Sequence, residues 1–322
     1  MTGPILAWSE RTELLTELLG GGSELAKALG ARLEALVLAG GPEGAKIAEE
    51  LAKWADEVLL VEDPRFSVLD SSVYASVLAE VASSRGASVV LVGSTLFGRE
   101  VAARLSAKLR VPCFTGCTSA KVEGGRLLVE RTAFAGRAVA RQAWDVAEKP
   151  CVLAVAPKTF KKPVEERGGS MSKLAVTVPE PKLEVISVKE KEIAGVAVEE
   201  AEVIVSGGRG IEKREDFGML EELAKLLGGA VGCSRPIAED RGWFPFWIGL
   251  SGKKVKPKLY VAVGISGAIQ HVAGMRDSRV VVAINKAEDA PIFAVSDYYV
   301  VGDLYEIVPA LIEALKRRKG GA

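Results

Sequence analysis

The amino-acid sequence predicts a two-domain α/β protein, each domain a mainly parallel three-layer α/β/α sheet. Three observations carry that expectation. The 322 residues match about two domains of ordinary size. Short apolar runs without polar alternation recur, as strands covered on both faces require. Between them lie segments whose apolar residues fall at helical spacing, so each offers one stripe to a sheet.

In the first domain, placed at residues 1–157, residues 33–39, 57–61 and 88–93 read as strands. Val73, Val77, Leu78 and Val81 mark one intervening helix, and Val101, Leu105 and Leu109 another. From Cys117 the texture changes: residues 119–122, 126–134 and 139–144, with Gly124-Gly125 between the first two, read as antiparallel strands joined by turns. Residues 151–156 then return to the sheet. Residues 158–200 are rich in Lys, Glu, Pro and Gly and read as a connector with edge strands, for example over 183–188. The second domain, 201–322, begins with a strand at 202–205 and an amphipathic helix on Leu220, Leu223, Ala224 and Leu227, stopped by Gly228-Gly229. Strands at 259–263 and 280–284 follow, then a last helix with Leu304, Ile307, Val308, Leu311, Ile312 and Leu315 on one face. Its terminal Lys316, Arg317, Arg318 and Lys319 suit a helix C-terminus and solvent.

Composition excludes several functions. Forty-two basic residues balance forty-two acidic ones, so the chain lacks the overall positive footprint of a non-specific nucleic-acid or membrane-surface binder; a local basic patch stays open. No apolar stretch approaches the roughly 20 residues that cross a bilayer, and the first residues lack a secretory pattern. A soluble, cytoplasmic protein without direct membrane insertion is expected. Four cysteines (Cys113, Cys117, Cys151, Cys233) are too few for a disulfide scaffold and read as buried or inert thiols. His271 is the single histidine, which excludes a zinc site with several His ligands. A Ser/His/Asp hydrolase would have to use His271 as its base, and no GxSxG elbow accompanies it.

Loops at the carboxyl ends of parallel strands are where such sheets take ligands. One of them carries Gly264-Ile265-Ser266-Gly267-Ala268-Ile269-Gln270-His271, where glycines allow close approach and Ser266 can cap a helix or donate to a phosphate. Another carries Gly207-Gly208-Arg209-Gly210, either a phosphate loop with a bidentate guanidinium or a tight turn with a solvated arginine. Neither is a GxGxxG fingerprint, and no Walker A motif is present, which disfavours ordinary Rossmann dehydrogenases and P-loop nucleotidases. Arg235 follows Cys233-Ser234 at a third strand end. The aromatic-rich segment Asp240-Arg241-Gly242-Trp243-Phe244-Pro245-Phe246-Trp247 reads as a contact surface or as residues buried under a loop. Asn285 and Asp303 can bind ribose hydroxyls or adenine edges, or cap elements.

Taken together, Ser206-Gly207-Gly208-Arg209-Gly210, Cys233-Ser234-Arg235, Gly264 through His271, Ala283-Ile284-Asn285-Lys286 and Ala290-Pro291-Ile292-Phe293 closely resemble the alpha subunit of electron transfer flavoproteins, FixB-like members included. The resemblance spans 201–318 in order, and more loosely the first domain through Ser94-Thr95-Leu96-Phe97-Gly98-Arg99-Glu100. It implies a Rossmann-like FAD-binding C-terminal domain, a heterodimer with a beta subunit that closes the cleft, and one-electron relay from a dehydrogenase or partner flavin to a quinone oxidoreductase-type acceptor. The alternative it implies is the relay subunit of an electron-bifurcating FixAB-type complex using NADH, ferredoxin and quinone. Either way the chain is expected to be a redox carrier subunit, with no nucleic-acid partner.

By the same resemblance, Arg209, Ser266, Gly267, Ala268 and Gln270 would meet the flavin diphosphate and ribityl chain. Asn285, Asp303 and Leu304 would meet the adenosine end. Arg235, Ser251 and His271 would surround the isoalloxazine ring, with Ser234, Ile248, Gly249, Leu250 and Ile269 completing the cofactor-binding set. Electron uptake places negative charge on the flavin N1–C2=O2 edge, so Arg235 and His271 are the candidate cation or donor there, and Ser251 the hydroxyl near N5. Leu250-Ser251 stands where oxidative members often carry Gln-Thr, and Asp240-Arg241-Gly242-Trp243 resembles the FixB-type branch.

Overall fold

The computed structural model describes residues 2–134, 138–181, 184–186 and 198–320. The chain divides into two compact units, Met1–Val188 and Lys189–Ala322.

In the first unit, strands β1 (Ile5–Trp8), β2 (Leu33–Ala39), β3 (Glu57–Glu62) and β4 (Val89–Gly93) alternate with helices α1 (Thr12–Leu29), α2 (Glu43–Leu51), α3 (Ser71–Arg85) and α4 (Leu96–Leu109). Strands β5 (Cys113–Glu123), β6 (Arg126–Ala133), β7 (Ala138–Trp144), β8 (Cys151–Val155) and β9 (Ser170–Lys173) complete a nine-stranded sheet. Its order is β7-β6-β5-β8-β4-β1-β2-β3-β9, parallel except for the β5-β6-β7 meander. Every residue of β1, β4 and β8 is buried, because helices cover both faces.

Two features of this unit are not evident from periodicity. Helix α1 contains Gly20-Gly21-Gly22, a poor helical signal. A Cβ on Gly20 would sit 1.9 Å from the Lys161 carbonyl oxygen, and one on Gly21 within 2.4 Å of the Phe160 ring, so the glycines let a later segment lie against the helix. Residues after Lys158 continue this strap: Arg167 makes two 2.9 Å hydrogen bonds to Asp56, and β9 adds to the edge of β3 in parallel. Of the edge strand expected over 183–188, residues 183, 187 and 188 lie outside the described residues, and 184–186 are not part of a strand.

Within β2, Glu34 is 2% exposed in an otherwise apolar run. Arg85 Nε and Nη2 donate to its two carboxylate oxygens at 2.9 and 2.6 Å, and Nη2 also reaches Glu57 at 2.6 Å. Burial raises the pKa of Glu57, but hydrogen bonds from Ser172 and Arg85 outweigh it and hold the carboxyl below its ordinary value.

The second unit is a five-stranded, wholly parallel sheet of β10 (Val203–Gly207), β11 (Ala230–Cys233), β12 (Leu259–Val263), β13 (Val280–Asn285) and β14 (Tyr298–Val301). Helices α5 (Phe217–Leu227), α6 (Arg235–Ala238), α7 (Ile269–Met275) and α8 (Leu304–Gly320) connect or follow the strands. The strand order β11-β10-β12-β13-β14 places the reversal of winding beside β10. Alternate strand residues feed opposite layers. Val205, Val261 and Val263 pack with Phe217, Leu220 and Val308, whereas Ile204, Tyr260 and Ala262 pack with Met275 and Ile292. Both units therefore have the covered, mainly parallel sheets expected from the sequence.

Arg85→Ala leaves Glu34 buried and without its cation. The first unit is expected to lose about 3 kcal/mol of stability, read as a lower denaturant midpoint for its unfolding transition.

Candidate functional site

All five strands of the second unit deliver their carboxyl ends to one cavity of about 610 Å³. Arg209 and Gly210 follow β10, Ser234 and Arg235 follow β11, and Gly264, Ile265, Ser266 and Ala268 follow β12. Asn285 and Lys286 close β13, and Gly302, Asp303 and Leu304 follow β14. A volume in this range suits a ligand of cofactor size.

Main-chain hydrogen bonds continue from strand to strand beyond the sheet. Ser234 N–H donates to the Gly207 carbonyl, Gly208 N–H to Val263, Gly210 N–H to Gly264, Gly264 N–H to Ile284 and Gly302 N–H to Asn285, all between 2.9 and 3.1 Å. This stitching depends on glycine. A Cβ on Gly208 would lie 2.3 Å from the Gly264 carbonyl oxygen, and Gly264 itself has φ +62° with Gly210 Cα only 3.0 Å from its ideal Cβ position. The two loops touch backbone to backbone.

Electrostatics divide the cleft. Arg209 and Lys286 line it and take part in no ion pair found among the described residues. The main-chain N–H groups of Ser266 and Ala268, which also line it, find no acceptor among the described residues. Two cations and these free donors make a region for negative charge. Arg235 differs: its Nε donates to Glu239 at 2.6 Å and its guanidinium stands 5.8 Å from the Trp247 ring centroid. At the far wall, Asp303 Oδ1 accepts from Tyr305 N–H at 2.8 Å, while the Tyr305 hydroxyl donates to Asp216 at 2.6 Å and accepts from Glu212 N–H at 2.9 Å.

Asn285 and Asp303 thus take the capping role that the sequence left open, while still lining the cleft. Asn285 Nδ2 donates to the Ile265 carbonyl at 2.8 Å and Oδ1 accepts from Ala287 N–H at 3.0 Å. One amide hydrogen and one lone pair remain for a ligand. Ser266 does not cap α7; its side chain is exposed in the cleft. The aromatic segment divides as well: Trp243 and Phe244 pack on Phe217 with ring centroids 6.1 and 4.7 Å away, Arg241 stacks 4.6 Å over Trp243, and Trp247 reaches the cleft.

His271 is 6% exposed, with Nε2 3.0 Å from the Tyr260 hydroxyl. Burial pushes its pKa down to about 4, although the Ile248 main chain works in the opposite direction. The ring is therefore neutral near pH 7 and enters the site as a hydrogen-bonding group, leaving fixed positive charge to the arginines. The thiols of Cys117, Cys151 and Cys233 are buried and pushed up to about 12, so they remain protonated.

Of the residues expected at the site, Arg209, Ser234, Arg235, Ile248, Gly249, Leu250, Ser251, Ser266, Ala268, Gln270, His271, Asn285, Asp303 and Leu304 line the cavity together. Gly267 and Ile269 are not on its wall: Gly267, at φ +88°, is packed against the Ile292 main chain, and Ile269 is 46% exposed. Glu212, Pro236, Trp247, Gly302 and Tyr305 also line it without having been singled out as site residues. The place of Gly302 beside Asp303, at the start of the last helix, is a signal that could have found it; Tyr305 and Glu212 arrive through tertiary contact and left no local signal.

A doubly wound parallel sheet whose strand ends surround an open, partly cationic cleft defines a nucleotide-cofactor-binding α/β domain. Residues 197–276 match the electron transfer flavoprotein FAD-binding domain, and residues 12–183 the electron transfer flavoprotein domain. Protein FixB of Clostridium saccharobutylicum is 39% identical over 95% of this chain and 93% of its own length. The electron transfer flavoprotein subunit alpha of Thermoanaerobacterium thermosaccharolyticum is 38% identical over 94% of this chain and 93% of its own. Lactate dehydrogenase (NAD(+),ferredoxin) subunit LctC of Acetobacterium woodii is 37% identical over 93% of this chain and 72% of its own. The chain belongs to the electron transfer flavoprotein alpha-subunit family. Its cofactor is FAD, and the cleft suits that group: unpaired Arg209 and Lys286 beside free main-chain donors match a diphosphate, and His271 Nδ1 is a buried polar atom without a hydrogen bond of ordinary geometry.

His271 makes the second unit acid-sensitive. Its folded pKa lies below the unfolded value near 6.5, so its neutral form supports folding at neutral pH, and stability falls as pH drops from about 6.5 towards about 4. A shift of this size corresponds to roughly 3 kcal/mol. In His271→Asn this component of the pH dependence is expected to vanish, measured by denaturation at a series of pH values.

Proposed function

We propose that the chain is a redox carrier subunit that pairs with a beta subunit, holds FAD in the cleft of its second unit and relays electrons singly between a donor and an acceptor protein in the cytoplasm. One observation carries the reading: five parallel strand ends converge on a cleft with uncompensated positive charge, in a chain of this family. Among the described residues no helix is long and apolar enough to cross a membrane.

FAD supplies reversible one-electron chemistry when bound; the protein supplies position and field. Arg209, Lys286 and the main-chain donors of Ser266 and Ala268 would hold the diphosphate, with Gln270 beside the ribityl chain. Asn285, Asp303 and Leu304 would hold the adenosine end, with the Tyr305–Asp216 contact bracing that wall. Arg235 and His271 would face the reducible edge of the ring, with Ser251 supplying a hydroxyl. Glu239 offsets part of the Arg235 charge and orients its guanidinium.

A second reading is favoured by particular relatives. LctC, and the acryloyl-CoA reductase electron transfer subunit beta of Anaerotignum propionicum at 35% identity over 94% of this chain, belong to larger oxidoreductase systems by name. In this reading the chain is the FAD-relay subunit of a bifurcating FixAB-type complex using NADH, ferredoxin and quinone.

The test is to purify the chain with its beta subunit and count flavins. A yellow complex that bleaches on reduction is expected; two FAD per heterodimer select the bifurcating type, and one FAD with AMP the simple carrier. A colourless pair that stays empty when FAD is supplied overturns both.

Arg235→Ala is expected to retain FAD but to lower the potential for uptake of the first electron. The loss corresponds to roughly 2 kcal/mol of charge-assisted hydrogen bonding, measured by redox titration.

A further inference from the structure

Tyr260 lies in β12, wholly buried in one apolar cluster with Ile204, Ile248, Ala262 and Met275. It does not line the cleft, yet its hydroxyl is 3.0 Å from Nε2 of His271, which does. Burial holds the phenol far above its ordinary pKa, so it keeps its proton, and a buried O–H requires an acceptor. Ser206 Oγ, also fully buried, stands beside the phenol and draws its pKa the other way, but makes no hydrogen bond of ordinary geometry. Nε2 is the partner at hydrogen-bond geometry.

We propose that Tyr260 is a positioning residue of the FAD cleft: by donating to Nε2 it fixes the orientation and tautomer of His271, leaving Nδ1–H as the ring's one donor. A neutral imidazole has one N–H, and an Nε2 that accepts cannot carry it. Turning the ring over would put a carbon against the phenol oxygen and forfeit the bond, so the rotamer is held as well. Nδ1 is enclosed near the Ile248 main chain without a hydrogen bond of good geometry. A donor so placed gains most from an acceptor that a ligand brings. The link from this pair to flavin potential rests on the functional reading above; the pair itself does not.

The test uses the complex with its beta subunit, carrying heavy-nitrogen-labelled histidine. This chain has one histidine, so its signal is assigned by its loss in His271→Gln. Nuclear magnetic resonance of the ring nitrogens in the wild type is expected to show a single neutral form, protonated on Nδ1. Tyr260→Phe keeps the ring in the core and removes only the hydroxyl; the single tautomer is expected to give way to a mixture, and the potential of bound FAD to become more negative. An unchanged tautomer or an unchanged potential in that variant overturns the proposal. So does an Nε2–H ring in the wild type, a result that needs no variant to fold. A complex without FAD defeats the functional reading while leaving the tautomer measurement intact.

Discussion

The cleft exists because main-chain hydrogen bonding does not stop where the second sheet stops. Just past the strands, the N–H groups of Ser234, Gly208, Gly264 and Gly302 bind carbonyls at the ends of neighbouring strands, Gly210 binds Gly264, and Gly208, Gly210 and Gly264 let two of the loops touch without side chains between. Buried backbone groups require partners, and here they find them sideways, in the next loop. Five short connections thereby become a single surface. The side chains that stand on it inherit their spacing from the strands, about 4.8 Å apart in the pairing direction.

On that surface the protein separates two kinds of polar group. Asn285, Asp303 and Tyr305 spend hydrogen bonds on the structure itself and give their wall of the cleft its shape. Arg209 and Lys286 keep their charge uncompensated, and Arg235 is held by Glu239 yet 62% exposed in its side chain. His271 belongs with neither: burial takes its charge away and leaves a directed, neutral ring. A cleft built in this way presents positive field from exposed arginines and fixed geometry from a residue locked into the core.

Much of this was legible in the sequence, for identifiable reasons. The runs at 33–39, 57–61 and 151–156 announce strands because double-sided burial forbids polar alternation, and the rule that ligands bind at parallel strand ends then singles out Arg209, Arg235, Ser266 and Asn285. Other parts were hidden. The signal for α1 was broken by Gly20-Gly21-Gly22, of which Gly20 and Gly21 serve a contact with Lys161 and Phe160 far along the chain. Strand β14 is four exposed residues, so it lacks the buried run that marks its neighbours. The Tyr305 hydroxyl joins Asp216 and the Glu212 N–H at the cleft, pairings across 89 and 93 residues that no local pattern records. Gly267 was legible as part of a motif, but its task is to pass close to Ile292 rather than to touch the cavity.

The backbone-to-backbone contact of Gly208 with Gly264 bears on speed as well as on shape. Long-range electron tunnelling slows when the surroundings must rearrange each time charge arrives or leaves, and loose side chains rearrange most. A floor made of peptide groups already pinned to one another has little room to rearrange. Of the protein's own groups, the floor therefore adds least to the rearrangement that a change of charge in the cleft demands, and the exposed arginines and solvent supply the rest.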